Sequence, residues 1–418
     1  MTVGLPQAPT HFVVVGIGAD GWAGLSAQAQ VHLRGARVVY GSRRQLDLLG
    51  PGHAESIAAE LIEWGSPMSE HLRAVLAEST LPVIHILASG DPMFHGVGST
   101  IVRAVGSRRV TVVPAISSVS LACARLGWDH SDVTVISTLR SDVNVIVPAL
   151  ADGRRLLVLS RDGRDPAGIA ATLTARGFGW STVTVLEQLG GPGEQVISGV
   201  AHSWRHGECN RLNIVAVHCV GRRGVGVPGL SDDEFINDGQ ITKSPVRTLT
   251  VAALRPGGPQ LLWDIGSGSG SVAIEWLRFD AAGFAISFER DHRRAAAIAQ
   301  NAHRHGVGAA LTIRGEVPQA LDDAPDPDAV FIGGGLDEIT LAAAWEALLD
   351  GGTMVVNAVT VESQLLLTQW HRAHGGTLRR IATETVEPLG SMSTWRPALP
   401  IVQWVTEKPT PTRAGGAE

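Results

Sequence analysis

Leu261-Leu-Trp-Asp-Ile-Gly-Ser-Gly-Ser-Gly-Ser271 is the stretch on which the reading of this chain turns. An apolar run ends in Asp264, Gly266, Gly268 and Gly270 follow at alternate positions, and Ser-Val-Ala-Ile-Glu-Trp-Leu continues with the pattern of a helix. Strand, glycine turn and helix N-terminus bring bare backbone and unsatisfied N–H groups to one place, where a small ligand can be received. The spacing is G-x-G-x-G, and no Lys-Ser/Thr pair follows as it would in a Walker loop. A carboxylate at the strand end argues against a bare phosphate. Asp264 suits an ammonium group, or fixes the loop through its own N–H groups, and an ordinary tight β–α turn is the plainer alternative.

The next strand, Gly283-Phe-Ala-Ile-Ser-Phe-Glu289, also ends in a carboxylate, placed as expected for a residue accepting both ribose hydroxyls. Asp264 and Glu289 together suit S-adenosyl-L-methionine (SAM) and favour a nucleotide cofactor over a bare turn. Upstream, Ile241 to Leu254 reads as a helix with Pro245 in its first turn. Downstream, Leu311 to Glu316 is a strand and turn. Ala329-Val-Phe-Ile-Gly-Gly-Gly335, after Asp328, is the expected central fourth strand, its glycine exit leaving room for substrate. Glu316 and Asp328 bracket the adenine side or serve as caps and surface charge. Asn357 closes the Gly352–Thr360 strand, where it orients a substrate edge or stabilises a turn. Leu378 to Glu387 and Leu399 to Thr406 alternate as a terminal antiparallel hairpin around the loop Gly390–Arg396. Proton transfer, if any side chain performs it, falls to Asn357, Glu316 or Arg396. His292, His303 and His305 read as solvated helix-face residues, since nothing converges with them as a metal site requires.

Toward the N-terminus, Phe12-Val-Val-Val enters the turn Gly16-Ile-Gly-Ala-Asp-Gly21, a formal G-x-G-x-x-G. A dinucleotide site also needs an acidic residue ending the next strand, but Ala36-Arg-Val-Val-Tyr40 runs into Gly41-Ser-Arg-Arg44, so NAD is not expected. Arg43 and Arg44 are either a solvated pair or contacts for an anionic substrate. Helices are expected near Leu25–Leu33 and Ile57–Trp64. The strand from Pro82 ends at Ser89-Gly-Asp-Pro-Met-Phe-His95, where Gly90 permits close approach, Asp91 offers a carboxylate and Pro92 stiffens the turn. Val110-Thr-Val-Val-Pro-Ala-Ile-Ser-Ser118 repeats the plan, with Ser117 or Ser118 capping a helix. Further strands are expected at Asp132–Ser137, Arg154–Ser160, Thr182–Gln188, which alternates like an exposed strand, and Arg211–Val217.

At 418 residues the chain is too long for one typical core. Hydrophobic residues at 44% against 18% charged exclude extensive disorder, and a formal charge of −6 gives no global nucleic-acid footprint. Cys123, Cys209 and Cys219 lack metal-ligand spacing and read as buried reduced thiols. No signal-like N-terminus or bilayer-length apolar run is present, so a cytoplasmic protein without membrane or metal is expected. Gly221-Arg-Arg-Gly-Val-Gly-Val-Pro-Gly229 interrupts the pattern and marks a boundary between about 221 and 245.

The chain as a whole resembles the bifunctional precorrin-6Y C5,15-methyltransferase (decarboxylating) family of cobalamin biosynthesis. Val13-Val-Val-Gly-Ile-Gly-Ala-Asp-Gly21, Ala88-Ser-Gly-Asp-Pro-Met-Phe94 and Pro114-Ala-Ile-Ser-Ser118 resemble the loops of a tetrapyrrole methylase. Thr242-Lys-Ser-Pro-Val-Arg247, Leu262-Trp-Asp-Ile-Gly-Ser-Gly-Ser-Gly270 and Asp326-Pro-Asp-Ala-Val-Phe-Ile-Gly-Gly-Gly335 resemble its class I partner. The first turn departs from the common G-x-G-P-G by carrying Ala19 and Asp20.

The resemblance implies an α/β fold: a two-lobed tetrapyrrole methylase region at 1–220 (lobes about 11–115 and 116–220), a linker at 221–240, and a flexible tail at 409–418. Between linker and tail, 241–408 is a Rossmann-like class I methyltransferase with a doubly wound sheet and terminal hairpin. It implies SAM-dependent methylation of a precorrin-6 intermediate at carbons 5 and 15, with loss of the ring C acetate carboxyl, by a homo-oligomer. Gly16, Gly18, Gly90, Asp91, Pro92, Ser117 and Ser118 would hold one SAM, and Asp264, Gly266, Gly268, Gly270, Glu289 and Glu316 the other. A methyltransferase for another tetrapyrrole or a tRNA-like substrate, and a SAM-binding regulatory or scaffolding protein, are the alternatives.

Overall fold

The computed structural model describes residues 9–50, 57–221 and 228–410. Two compact units emerge: Met1–Arg140 with Asp152–Arg222, and Ser141–Ala151 with Arg223–Glu418. Positions 222–227 of the expected linker and 411–418 of the expected tail lie outside the described residues.

The first unit contains two sheets. Strands β1 (His11–Ile17), β2 (Val38–Gly41), β3 (Glu60–Glu63), β4 (Val83–Ser89) and β5 (Val110–Val113) form a parallel sheet in the order β3-β2-β4-β1-β5. Consecutive residues of β1 serve opposite faces: Val13, Val15 and Ile17 join one core cluster, Phe12 and Val14 another. Burial on both sides explains the unbroken apolar run, as parallel strands covered by helices require. The Ile57–Trp64 segment, expected to be helical, instead supplies β3, since pairing of Glu60–Glu63 with Val38–Gly41 overrides its helical composition.

Strands β6 (Val133–Ser137), β7 (Arg155–Leu159), β8 (Thr182–Glu187), β9 (Gln195–Val200) and β10 (Asn213–His218) build the second sheet, ordered β6-β7-β10-β8-β9. Only β6 and β7 run parallel; the other pairs are antiparallel. The expectation of an exposed Thr182–Gln188 strand is corrected: β8 lies between β10 and β9 with Val183, Val185 and Leu186 buried. Its polar alternation is absorbed internally, for Thr184 Oγ1 lies 3.0 Å from Ser198 Oγ on β9. Cys123 and Cys219 are buried as expected, whereas Cys209 is half-exposed, and none of the three forms a disulfide.

In the second unit β11 (Leu261–Ile265), β12 (Phe284–Phe288), β13 (Leu311–Arg314), β14 (Ala329–Ile332) and β15 (Thr353–Ala358) run parallel. Four further strands follow: β16 (Thr377–Ile381), β17 (Glu384–Leu389), β18 (Met392–Pro397) and β19 (Ile401–Glu407). The seven-stranded order β13-β12-β11-β14-β15-β19-β16 puts β14 fourth, as expected, and β19 antiparallel to both neighbours. The chain leaves β11 toward β12 and returns at β14, so the switch point of this sheet lies between β11 and β14. The terminal pair is β16 with β19, and its connection is not a simple loop. Glu384–Pro397 forms a separate two-stranded ribbon of β17 and β18 that includes most of the expected Gly390–Arg396 loop. Trp263, Trp276, Trp404, Phe288 and Phe331 fill the core on the two faces of the main sheet.

Candidate functional sites

At the carboxyl edge of β11 the glycine loop has no room for side chains. A Cβ on Gly266 would sit 2.3 Å from the Gly334 carbonyl oxygen, and Gly266 adopts φ +67°. A non-glycine residue there meets backbone and a left-handed conformation at once. Gly268 Cβ would meet the Gln240 carbonyl at 2.9 Å, and Gly270, the N-cap of helix Ser271–Phe279, would press on Ile298. The loops after β11 and β14 therefore touch main chain to main chain. Beside them opens a cavity of about 550 Å³.

Asp264 lies beneath this loop, fully buried, and does not line the cavity. One oxygen accepts from Ala273 N at 3.2 Å and the other has no partner. Of the two roles read from sequence, fixing the loop is the one its position supports. Burial pushes its carboxyl up to about 7, opposed by the Ala273 N–H and assisted by the Glu289 charge. Glu289 does reach the cavity: Oε2 accepts from Gly268 N at 2.8 Å and Oε1 from Asp291 N at 3.0 Å. It holds the glycine loop and, with lone pairs to spare, faces the space beside it.

A strap preceding the glycine loop, absent from the sequence reading as a site element, covers this cavity with Gln240, Ile241, Thr242 and Lys243. Arg247, completely buried, donates to Glu275 Oε1 at 2.6 Å, Asp232 Oδ1 at 2.9 Å, the Thr242 carbonyl at 2.6 Å and the Leu230 carbonyl. Glu275 in turn accepts from Gly229 and Leu230 N–H groups. This buried charge is thus paired, with a hydrogen bond from each of its three nitrogens, as burial demands. Asn301 completes the attachment, accepting from Ile236 N and donating to the Ile236 and Ser269 carbonyls, so strap and glycine loop share one side chain. Residues 228–240, assigned to a linker, therefore pack into the second unit, with Leu230 and Phe235 in its core.

Gly333, Gly334, Gly335, Glu316 and Asn357 line the same cavity, along with Lys243, Arg290 and Arg294. Glu316 is exposed and lies 3.9 Å from Arg290. Arg396 does not line it: it stands on the β17–β18 ribbon, 3.5 Å from Glu387. The expected helix-face histidines form no metal cluster among the described residues. Two of them are structurally engaged: His305 is buried against the Glu234 carbonyl, and His303 lies 3.1 Å from Asp142.

The first unit repeats the arrangement with different strands. A Cβ on Gly16 would lie 2.2 Å from the Gly90 carbonyl oxygen and 2.6 Å from Ala115 N, so the loops after β1, β4 and β5 converge on one glycine. Gly90 itself has φ +58°. The departure at Asp20 is accommodated by glycines as well: its carboxylate occupies the space that Cβ atoms of Gly18 and Gly24 would need. A cavity of about 410 Å³ is lined by Gly18, Gly90, Asp91, Ser117 and Ser118, while Gly16 and Pro92 stand behind its wall. Asp91 Oδ1 accepts from Met93 N at 2.9 Å, and Ser117 caps helix Ser118–Leu126 by accepting from Ser120 N. Sequence reading missed Gln188 and Asn213, which reach this cavity from the second sheet. Arg44, left open between surface and site, lines the cavity and donates to Ser89 Oγ at 2.8 Å, with burial lowering its pKa.

Comparison with known proteins matches each half to a family model: tetrapyrrole (corrin/porphyrin) methylases over residues 11–203, and a precorrin methyltransferase domain over residues 233–408. Over 401 residues the chain is 43% identical to precorrin-6Y C(5,15)-methyltransferase (decarboxylating) of Mycobacterium tuberculosis, spanning 95% of this chain and 99% of the relative. Shorter relatives are each named for one of the two methylations. A probable cobalt-precorrin-6B C(15)-methyltransferase (decarboxylating) of Saccharolobus solfataricus is 31% identical, covering 33% of this chain and 72% of the relative. A cobalt-precorrin-7 C(5)-methyltransferase of Salmonella typhimurium is 28% identical, covering 44% of this chain and 87% of the relative.

The raised Asp264 carboxyl has a testable sign. A group that holds its proton more tightly folded than unfolded contributes stability below about pH 4, and that contribution is lost as pH rises through its folded value near 7. Asn does not titrate. The stability of Asp264→Asn relative to the natural chain should therefore grow between pH 5 and 7 and level off above, in thermal unfolding at matched pH. A difference flat across that range would contradict the assignment.

Proposed function

The chain belongs to the precorrin-6Y C5,15-methyltransferase (decarboxylating) family, and from that premise we propose how its chemistry is divided between its two glycine-lined cavities. As a family member it is a bifunctional SAM-dependent C-methyltransferase and decarboxylase that converts a precorrin-6 intermediate to precorrin-8 in cobalamin biosynthesis. Residues 11–220 take carbon 5. Residues 241–408, with the strap from 228, take carbon 15 and the loss of the ring C acetate carboxyl. Two separate sites are supported by each unit having its own cavity where neighbouring strand loops meet without side chains, at Gly16 with Gly90 and at Gly266 with Gly334. Which carbon each takes follows from the family resemblance and from the shorter relatives named for C(5) or for C(15) with decarboxylation.

The residues present fit the cofactor. Gly266 and Gly268 let the glycine loop close against the Gly334 and Gln240 carbonyls at the cavity's edge, and Glu289, which lines the cavity, adds an acceptor pair suited to a ribose diol. When bound, SAM supplies an electrophilic sulfonium methyl that a nucleophilic macrocycle carbon takes up. Around it the chain orients and excludes water: Glu289 holds the ribose side, Asp264 keeps the loop in place, and Gly333–Gly335 leave space for the macrocycle. In the first unit Gly18, Gly90, Asp91, Ser117 and Ser118 do the same, with Gly16 and Pro92 shaping the wall. Arg44 there, and Lys243, Arg290 and Arg294 in the second unit, are positioned to meet substrate carboxylates. Decarboxylation breaks a carbon–carbon bond, sends the electron pair into the conjugated ring, releases carbon dioxide and leaves an exocyclic methylene that takes up one proton to become a methyl group. The chain's part is to hold that acetate out of water. Asn357 contributes hydrogen bonds and cannot act as an acid or base near neutral pH, whereas Glu316 is a titratable group lining the same cavity.

A homo-oligomer and a cytoplasmic location complete the proposal. The β17–β18 ribbon exposes apolar pairs on both of its faces, Val386 with Trp395 on one and Leu389 with Met392 on the other, side chains of the kind that associate. Cysteines without disulfides accord with a reducing compartment, and no described helix is long and apolar enough to cross a membrane.

Mass analysis of products from a precorrin-6 substrate and methyl-labelled SAM tests the division. Gly266→Ala should lose the carbon 15 methyl and the decarboxylation by about 100-fold while carbon 5 methylation persists, and Gly16→Ala should do the reverse. Loss of both products in either variant, in a chain that still folds, would count against two separate sites. Paired Met392→Glu and Trp395→Lys substitutions should lower the mass seen by light scattering at unchanged helix content. An unaltered mass would remove the ribbon from the interface.

A further inference from the structure

Resting on the assignment of the second cavity to carbon 15 chemistry, we infer that Gln403 is a positioning residue that sets which way the Asn357 amide faces. Asn357 on β15, Gln403 on β19 and Arg379 on β16 form one row across three strands, since Asn357 and Arg379 are both register partners of Gln403. Thr250, on the helix Ser244–Leu254 packed over this row, completes the group. Gln403 and Thr250 are fully buried, and Asn357 lines the cavity.

The chain of hydrogen bonds has only one consistent direction. Arg379 has donors and no acceptor, so the oxygen it meets at 2.9 and 2.5 Å must be Gln403 Oε1. Gln403 Nε2 is then turned inward, where it donates to Asn357 Oδ1 at 2.9 Å and to Thr250 Oγ1 at 3.1 Å. Thr250 spends its own proton on the Val246 carbonyl at 2.9 Å, leaving its oxygen an acceptor only. Asn357 must therefore point Nδ2 at Thr250, 3.1 Å away, and Oδ1 at Gln403. Turning the Asn357 amide over would set two N–H groups against each other and leave a buried oxygen without a donor.

Two hydrogen-bonding positions of Asn357 remain, one N–H and one lone pair, each fixed in place by residues that do not touch the substrate. A macrocycle rich in carboxylates and pyrrole N–H groups offers the complements of both. A carboxamide free to flip would present donor and acceptor interchangeably. One locked by a guanidinium through a glutamine presents a single order, and so selects one seating of the ring edge.

Gln403→Glu is the discriminating change, because it keeps the Arg379 pairing and replaces the inward N–H with an acceptor, which turns the Asn357 amide over. In the full chain the carbon 15 methylated, decarboxylated product should fall about 10- to 100-fold in kcat, with carbon 5 methylation and SAM affinity unchanged. In an Asn357→Ala background the same change should cost nothing further, a non-additivity that a merely structural role for Gln403 would not give. Arg379→Met, which alters only the outer end of the row, should produce a smaller loss that Asn357→Ala likewise erases, and it serves if Gln403→Glu fails to fold. Natural turnover by Gln403→Glu, or losses that simply add to that of Asn357→Ala, would overturn the inference. Absence of carbon 15 product from the natural chain itself would instead contradict the parent assignment.

Discussion

Backbone touching backbone at two glycines is the constraint on which both halves of this chain depend. Gly266 meets the Gly334 carbonyl where β11 and β14 end, and Gly16 meets the Gly90 carbonyl where β1 and β4 end. Glycine at the point of closest approach lets the loops fold inward and leaves a cavity at their side. The two sheets differ in strand order, so the same local solution serves two unrelated designs.

Everything around the second glycine pair keeps that approach in register. Asp264 below the loop binds the first turn of the following helix, Glu289 binds Gly268 from the neighbouring strand, and Asn301 ties Ser269 to the strap. Arg247 carries the strap itself through a buried ion pair with Glu275. Breaking such a pair from one side typically costs about 3–5 kcal/mol, because the remaining charge stays buried without compensation. A cavity wall held this way is rigid, which methyl transfer needs: the reaction asks chiefly for alignment.

The glycine loops, the strand ends at Glu289 and Asn357 and the central place of the Ala329–Ile332 strand were legible in the sequence, because each shows in local pattern: apolar runs, glycine spacing, a carboxylate at a strand end. What was not legible depends on contacts distant in sequence. Residues 228–240 looked like a linker because Gly and Pro dominate their start, yet Leu230 and Phe235 enter the core once Arg247 and Glu275 pair. Thr182–Glu187 alternated as an exposed strand does, but Thr184 meets Ser198 and is buried. Arg396 sat in an expected loop and proved to belong to a ribbon, since strand pairing between 384–389 and 392–397 leaves no loop of that length. Gln188 and Asn213 carried no local signal, because only the packing of the two lobes of the first unit brings them to its cavity.

Equilibrium binding of SAM to the full chain tests the central claim most directly, since two independent glycine-lined sites are a statement about stoichiometry before they are one about chemistry. Isothermal titration should give two SAM molecules per chain. A single site, with the first or second cavity unable to bind, would contradict an account in which each half holds its own methyl donor.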